Sequence, residues 1–154
     1  MEPKIRVLTP EEATQHLLPL LEQGQTVPLT VTGSSMFPFL CHGRDTVYLE
    51  KLQEAPQMGD LVFFRRNSGQ SVLHRIVAVG KTYTLLGDRQ IQPEPGICQE
   101  QILATAVAVR RGGKLLKPEH PVWRFFRGPW QWLRPLRPWL IRAYRLVTGK
   151  EMEQ

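Results

Sequence analysis

Ser71-Val72-Leu73-His74-Arg75-Ile76-Val77-Ala78-Val79 and Thr82-Tyr83-Thr84-Leu85-Leu86 stand on either side of Gly80-Lys81. Two β-rich runs around a two-residue turn signal read as an antiparallel hairpin. Alternation places Val72, His74 and Ile76 on one face of the first strand and Leu73, Arg75 and Val77 on the other. The same character continues outward from this hairpin. Val27–Thr32, Thr46–Leu49, Leu61–Arg65 and Leu103–Val109 are short β-type runs. Gly43-Arg44-Asp45, Met58-Gly59-Asp60, Asn67-Ser68-Gly69 and Gly112-Gly113 supply further turn signals. Gln90–Gly96, with Pro93 and Pro95, is expected to be a loop. The pattern predicts a mainly-β fold, a compact antiparallel β-domain.

The two ends of the chain differ from this middle. Thr9-Pro10-Glu11-Glu12 is a helix start, with Thr9 as cap, Pro10 in the first turn and Glu12 completing a capping box. Leu17, Leu18, Leu20 and Leu21 follow and Gly24 ends the run, so a helix is expected over about 10–23. From Pro118 aromatic and aliphatic residues alternate with arginines, and Pro129, Pro135 and Pro138 cut the segment into short helical pieces. The expected organisation is an N-terminal helical segment over 1–26, a β-rich domain over 27–117 and a basic aromatic helical tail over 118–154.

A hydrophobic fraction of 42% is enough for a packed core, and this excludes a wholly disordered chain. The net charge of +6 is concentrated at one end: Arg110–Lys150 holds eleven Lys or Arg and one acid, Glu119. All four tryptophans are in the tail. Trp favours the bilayer interface and Arg reaches lipid phosphate, so residues 121–148 are expected to meet a membrane surface, a partner protein or the chain's own β-domain. No recognisable motif supports nucleic acid as the partner. No apolar run resembles a secretion signal or reaches the ~18–20 residues that span a bilayer. The expected location is cytoplasmic, with peripheral membrane contact. Two cysteines, Cys41 and Cys98, make no disulfide framework. Cys41 beside His42 is poorly arranged for proton transfer, because neighbours on an extended chain point to opposite faces.

Three features carry chemistry. Val31-Thr32-Gly33-Ser34-Ser35-Met36-Phe37-Pro38 is a turn after a strand. Gly33 relieves it, Met36 can pack beneath, and Pro38 stiffens its exit. Such a turn exposes Ser35 and aims backbone N–H groups of Ser34 and Ser35 at one point, as an oxyanion requires. His74, on a rigid strand, suits a general base at neutral pH. Asp88 in Leu86-Gly87-Asp88-Arg89 follows the second hairpin strand and can orient His74. Taken singly, each also has a plainer reading: a turn, a core histidine and a turn aspartate.

Together they resemble a family. Gly33-Ser34-Ser35-Met36-Phe37-Pro38 resembles the serine box of type I signal peptidases, and Val31-Thr32-Gly33 looks like that of the LexA-type self-cleaving repressors. Met58-Gly59-Asp60-Leu61-Val62-Phe63-Phe64 resembles the family's Gly-Asp strand opening. Val72-Leu73-His74-Arg75-Ile76-Val77 is similar to the base box in its His-Arg form, found in the archaeal and endoplasmic-reticulum enzymes. Leu86-Gly87-Asp88 is similar to the later Gly-Asp box. The four occur in family order over roughly residues 27–90.

The resemblance implies a signal-peptidase/LexA-like β-fold without an N-terminal membrane anchor. It implies a serine endopeptidase with neither metal nor cofactor, acting on a peptide or preprotein after a small residue. Ser35 is then the nucleophile, His74 the base and Asp88 its orienting partner. Two departures stand out. The usual N-terminal anchor is not seen, and Gly33 stands where many signal peptidases carry an oxyanion-assisting serine. The alternative is a non-catalytic relative that binds an extended peptide and is anchored to a membrane or partner by its tail.

Overall fold

The first helix, α1 (Pro10–Glu22), buries Leu17 and Leu21, four residues apart on one face. The structure is a computed structural model and describes residues 10–149; the helix cap expected at Thr9 lies outside them. Eight strands follow: β1 (Val27–Thr30), β2 (Thr46–Glu50), β3 (Leu61–Arg65), β4 (Ser71–Val79), β5 (Tyr83–Leu86), β6 (Glu94–Ile97), β7 (Ile102–Arg111) and β8 (Lys114–Leu116). They form one sheet in the order β1-β2-β7-β3-β4-β5-β6, with β8 paired to β7, and every pairing is antiparallel. The fold is mainly β with helices at both ends.

The hairpin forms, but its connection is three residues long, Gly80–Thr82, and a bulge at Val77 shifts the register between Val79 opposite Tyr83 and Arg75 opposite Leu86. One expectation needs correction. Gln90–Gly96 is not wholly a loop, because β6 begins at Glu94 and pairs with β5 through Leu85–Glu94 and Tyr83–Ile97. Pro95 is tolerated there because β6 lies at the edge of the sheet, where a missing N–H breaks no ladder bond on the outer side. Strand β8 was not among the expected strands; it continues from β7 through Gly112-Gly113, both at positive φ.

The sheet separates two apolar clusters. The smaller gathers Val62, Phe64, Ile76, Tyr83, Leu85, Ile97 and Ile102. The larger draws on all three parts of the chain: Leu17 and Leu21 from α1, Phe39 and Leu40 from the segment after β1, and Trp123, Phe126, Trp130 and Ile141 from the tail. Each such large apolar side chain contributes ~1.5–3 kcal/mol by leaving water. The tail therefore packs on the β-domain through one of its faces. It is cut into α2 (Pro121–Arg127), α3 (Pro129–Trp132) and α4 (Arg137–Thr148). Prolines stand in the first turns, where the lost N–H has no intrahelical partner. Gly149, at φ 66°, caps α4 by donating its N–H to the Arg145 carbonyl at 2.8 Å. Among the described residues, no helix is long and apolar enough to cross a membrane.

Candidate active site

Strand β1 gives way at Val31 to a turn built on buried anchors. Met36, Phe37, Phe39 and Leu40 are buried beneath it, leaving Ser34 and Ser35 half-exposed above. Gly33 takes φ +78°, a conformation that side chains rarely adopt, and donates its N–H to His42 Nδ1 at 2.8 Å. The Phe37 N–H closes the turn on the Ser34 carbonyl at 3.1 Å. The Ser35 carbonyl accepts from the Arg89 N–H at 2.9 Å. Gly87 lies against the same group: a Cβ there would fall 2.5 Å from the Ser35 carbonyl oxygen and 3.0 Å from its Cβ. Only glycine permits this approach. Among the described residues, the Ser34 and Ser35 N–H groups donate to no protein acceptor.

His74 reaches the same place from β4. A cavity of about 430 Å³ is lined by Leu29–Met36 on one side and Gln70–His74 on the other, with Phe63, Arg66, Arg89 and Gln90. The pairing explains why the cavity opens here. Strand β5 pairs with β4 only from Arg75 onward, so Ser71–His74 bond to β3 alone. Strand β1 is the first of the sheet and pairs only with β2. Two strand edges with unpaired backbone groups thus flank the cavity. No hydrogen bond joins Ser35 Oγ to His74, and His74 Nδ1 is buried with no partner among the described residues. In ligand-free sites such bonds are often long and close only around a substrate.

The imidazole sits 5.8 Å from the Phe64 ring and is 2% exposed. Burial pushes its pKa down from 6.5 to about 4; the Arg66 guanidinium acts in the same direction, and the Glu94 carboxylate opposes both. His74 is therefore neutral at pH 7 and able to accept a proton. The native state binds this proton less tightly than the unfolded chain does. Stability from His74 is thus fully present above pH 6.5 and declines as pH falls toward 4. The total change is about 3 kcal/mol. Urea titrations between pH 7 and pH 4 are expected to show this loss in the native protein and a correspondingly smaller one in His74→Leu. An equal loss in both would contradict it.

Asp88 does not orient His74, contrary to the sequence expectation. Arg75 Nε and Nη2 donate to Asp88 Oδ1 and Oδ2, both at 2.9 Å, and neither side chain is exposed to solvent. The reason is parity. Leu86 lies opposite Arg75, so the alternation carried two residues further puts Asp88 on the Arg75 face, while His74 points the other way. Arg75 Nη1 also donates to the Gly59 carbonyl at 3.1 Å, and the guanidinium lies 5.4 Å from the Phe39 ring centre.

The tail braces the Gly87–Gln90 loop from outside. Trp130 Nε1 donates to the Asp88 carbonyl at 2.6 Å. Arg137, fully buried, donates from Nη1 to the carbonyls of Gln90 at 2.6 Å and Gly87 at 3.3 Å. The sequence reading missed these two residues, since nothing in an Arg/Trp-rich tail marks which members turn inward. Arg89 carries no sequence signal for the site either; its Nη1 donates to Ser34 Oγ at 3.3 Å. The structure thus brings Gly33, Ser34, Ser35 and His74 to one cavity and places Asp88 behind them. No family model matches the sequence, and no curated protein matches it.

Proposed function

We propose that this protein is a serine endopeptidase that cleaves extended peptides. More narrowly, we propose a signal-peptidase-like enzyme working through an acyl-enzyme on Ser35, cleaving after a small residue, with a peptide or preprotein as substrate. The observation that supports the reading is that Ser35 and His74 line one cavity between two strand edges, with His74 held neutral by burial.

A peptide in β conformation satisfies its backbone by pairing with such edges, which presents a scissile carbonyl to a fixed point. Ser35 Oγ attacks that carbonyl carbon while His74 takes the hydroxyl proton. The developing oxyanion is met by the N–H groups of Ser34 and Ser35. The C–N bond then breaks as His74 returns the proton to the leaving amine. Water, activated by the same imidazole, hydrolyses the ester. With Asp88 occupied by Arg75, Ser35 and His74 act as a dyad, and burial keeps the base unprotonated.

Labelling by a serine-directed fluorophosphonate tests this. The native protein is expected to be labelled at Ser35, Ser35→Ala to be inert and His74→Ala to react far more slowly. The acid limb of the labelling rate is expected near pH 4. The missing Ser35–His74 hydrogen bond favours one rival, a peptide-binding protein without chemistry. Absence of labelling, with an extended peptide still bound equally by native protein and Ser35→Ala, would establish that rival instead.

A further inference from the structure

Helix α4 has three faces where a helix packed on a domain needs two. Arg137, Leu140, Ile141 and Tyr144 turn inward against the β-domain. Trp139, Ala143, Leu146 and Val147 follow at four, seven and eight residues and share the opposite side. This outer stripe is open: Trp139 is 74% exposed, Leu146 80% and Val147 86%. Leu136 in the turn before it and Trp132 at the end of α3 add exposed apolar surface, Trp132 at 87%. Arg142 and Arg145 fall between the two faces on the remaining flank. There they border a groove of about 560 Å³ with Arg89, Ile91, Pro138 and Ile141, and no acidic side chain lines it among the described residues.

We propose that this outer face docks on an anionic phospholipid surface, with a lipid phosphate drawn into the Arg89–Arg142–Arg145 groove. Water-exposed tryptophans beside aliphatic residues match the interfacial layer of a bilayer, where an indole ring is partly buried and partly wet. Arginines on the flank of an apolar stripe keep their charge at phosphate depth while the stripe enters the acyl boundary. Three guanidinium groups with no carboxylate among them attract an anion, which an anionic leaflet supplies. A protein partner would have to cover the same stripe with apolar surface and bring its own acids; a bilayer provides both at once. Arg89 lines both this groove and the Ser35 cavity, so docking brings the mouth of that cavity to the membrane surface.

The test is co-sedimentation of the full chain with phosphatidylcholine vesicles, with and without one quarter phosphatidylglycerol, at about 100 mM salt. The anionic vesicles are expected to bind at least tenfold more protein, with a blue shift in tryptophan emission. Trp132→Ser/Trp139→Ser and, separately, Arg142→Glu/Arg145→Glu are expected to lose at least tenfold of that binding. All four positions are solvent-facing, and unchanged thermal melts verify folding. Ser35→Ala is expected to bind as the native protein does, which separates this proposal from the peptidase reading. Equal binding to both vesicle types, no binding to either, or displacement by millimolar inorganic phosphate with no effect of the tryptophan substitutions would overturn it. The last result would identify the groove as a site for a soluble anion.

Discussion

Asp88→Ala is expected to lower the unfolding free energy by about 3–5 kcal/mol, the cost of leaving a buried charge without its partner. Arg75 and Asp88 form two hydrogen bonds to each other with no solvent contact at either side chain. Removing the carboxylate strands a guanidinium between the Phe39 ring and the Gly59 carbonyl. The same penalty applies to Arg75→Leu. The double variant Arg75→Leu/Asp88→Leu is expected to recover most of the loss, since neither charge then remains buried. Urea unfolding of the three variants measures this. The acid limb of Ser35 labelling in Asp88→Asn is expected to stay near pH 4, provided labelling is measured where the variant is folded. A shift of that limb with stability intact would restore Asp88 to the side of His74.

Hydrolysis of an activated ester of a short alanine-ending peptide is the second case. Ser35→Ala is expected to reduce its rate by roughly 10,000-fold, and His74→Ala by a comparable factor. Ser35→Ala/His74→Ala is expected to be no slower than the slower single variant, because a nucleophile without its base and a base without its nucleophile fail at the same step. Multiplying losses would mean that the two residues act independently, and the dyad would be wrong. Neither residue belongs to the larger core, so these substitutions leave its packing in place.

The hairpin and the serine turn were legible because each depends on local chemistry. Alternation from Ser71 to Val79 and the Gly80-Lys81 signal locate the hairpin, but the bulge at Val77 that precedes the Arg75–Leu86 pair is not visible in them. Once that pair is known, parity carried past Leu86 puts Asp88 on the Arg75 face. Strand β6 was hidden because Pro93 and Pro95 signal a loop, and only the sheet's order shows that Glu94–Ile97 lies at an edge. The roles of Trp130 and Arg137 were hidden for another reason. They contact residues more than forty positions away, and the tail's composition does not distinguish the arginine that is buried from those that face water.

The bracing of the Gly87–Gln90 loop by Trp130 and Arg137 has a consequence for biosynthesis. The Ser35 carbonyl is hydrogen-bonded to a loop whose outer supports are translated roughly a hundred codons later. A nascent chain still held in the ribosome has Ser35 and His74 but not the side chains that fix the loop behind them. On the proposed peptidase reading, proteolytic competence waits until the tail has emerged and folded back, and the unfinished polypeptide is spared attack by its own kind.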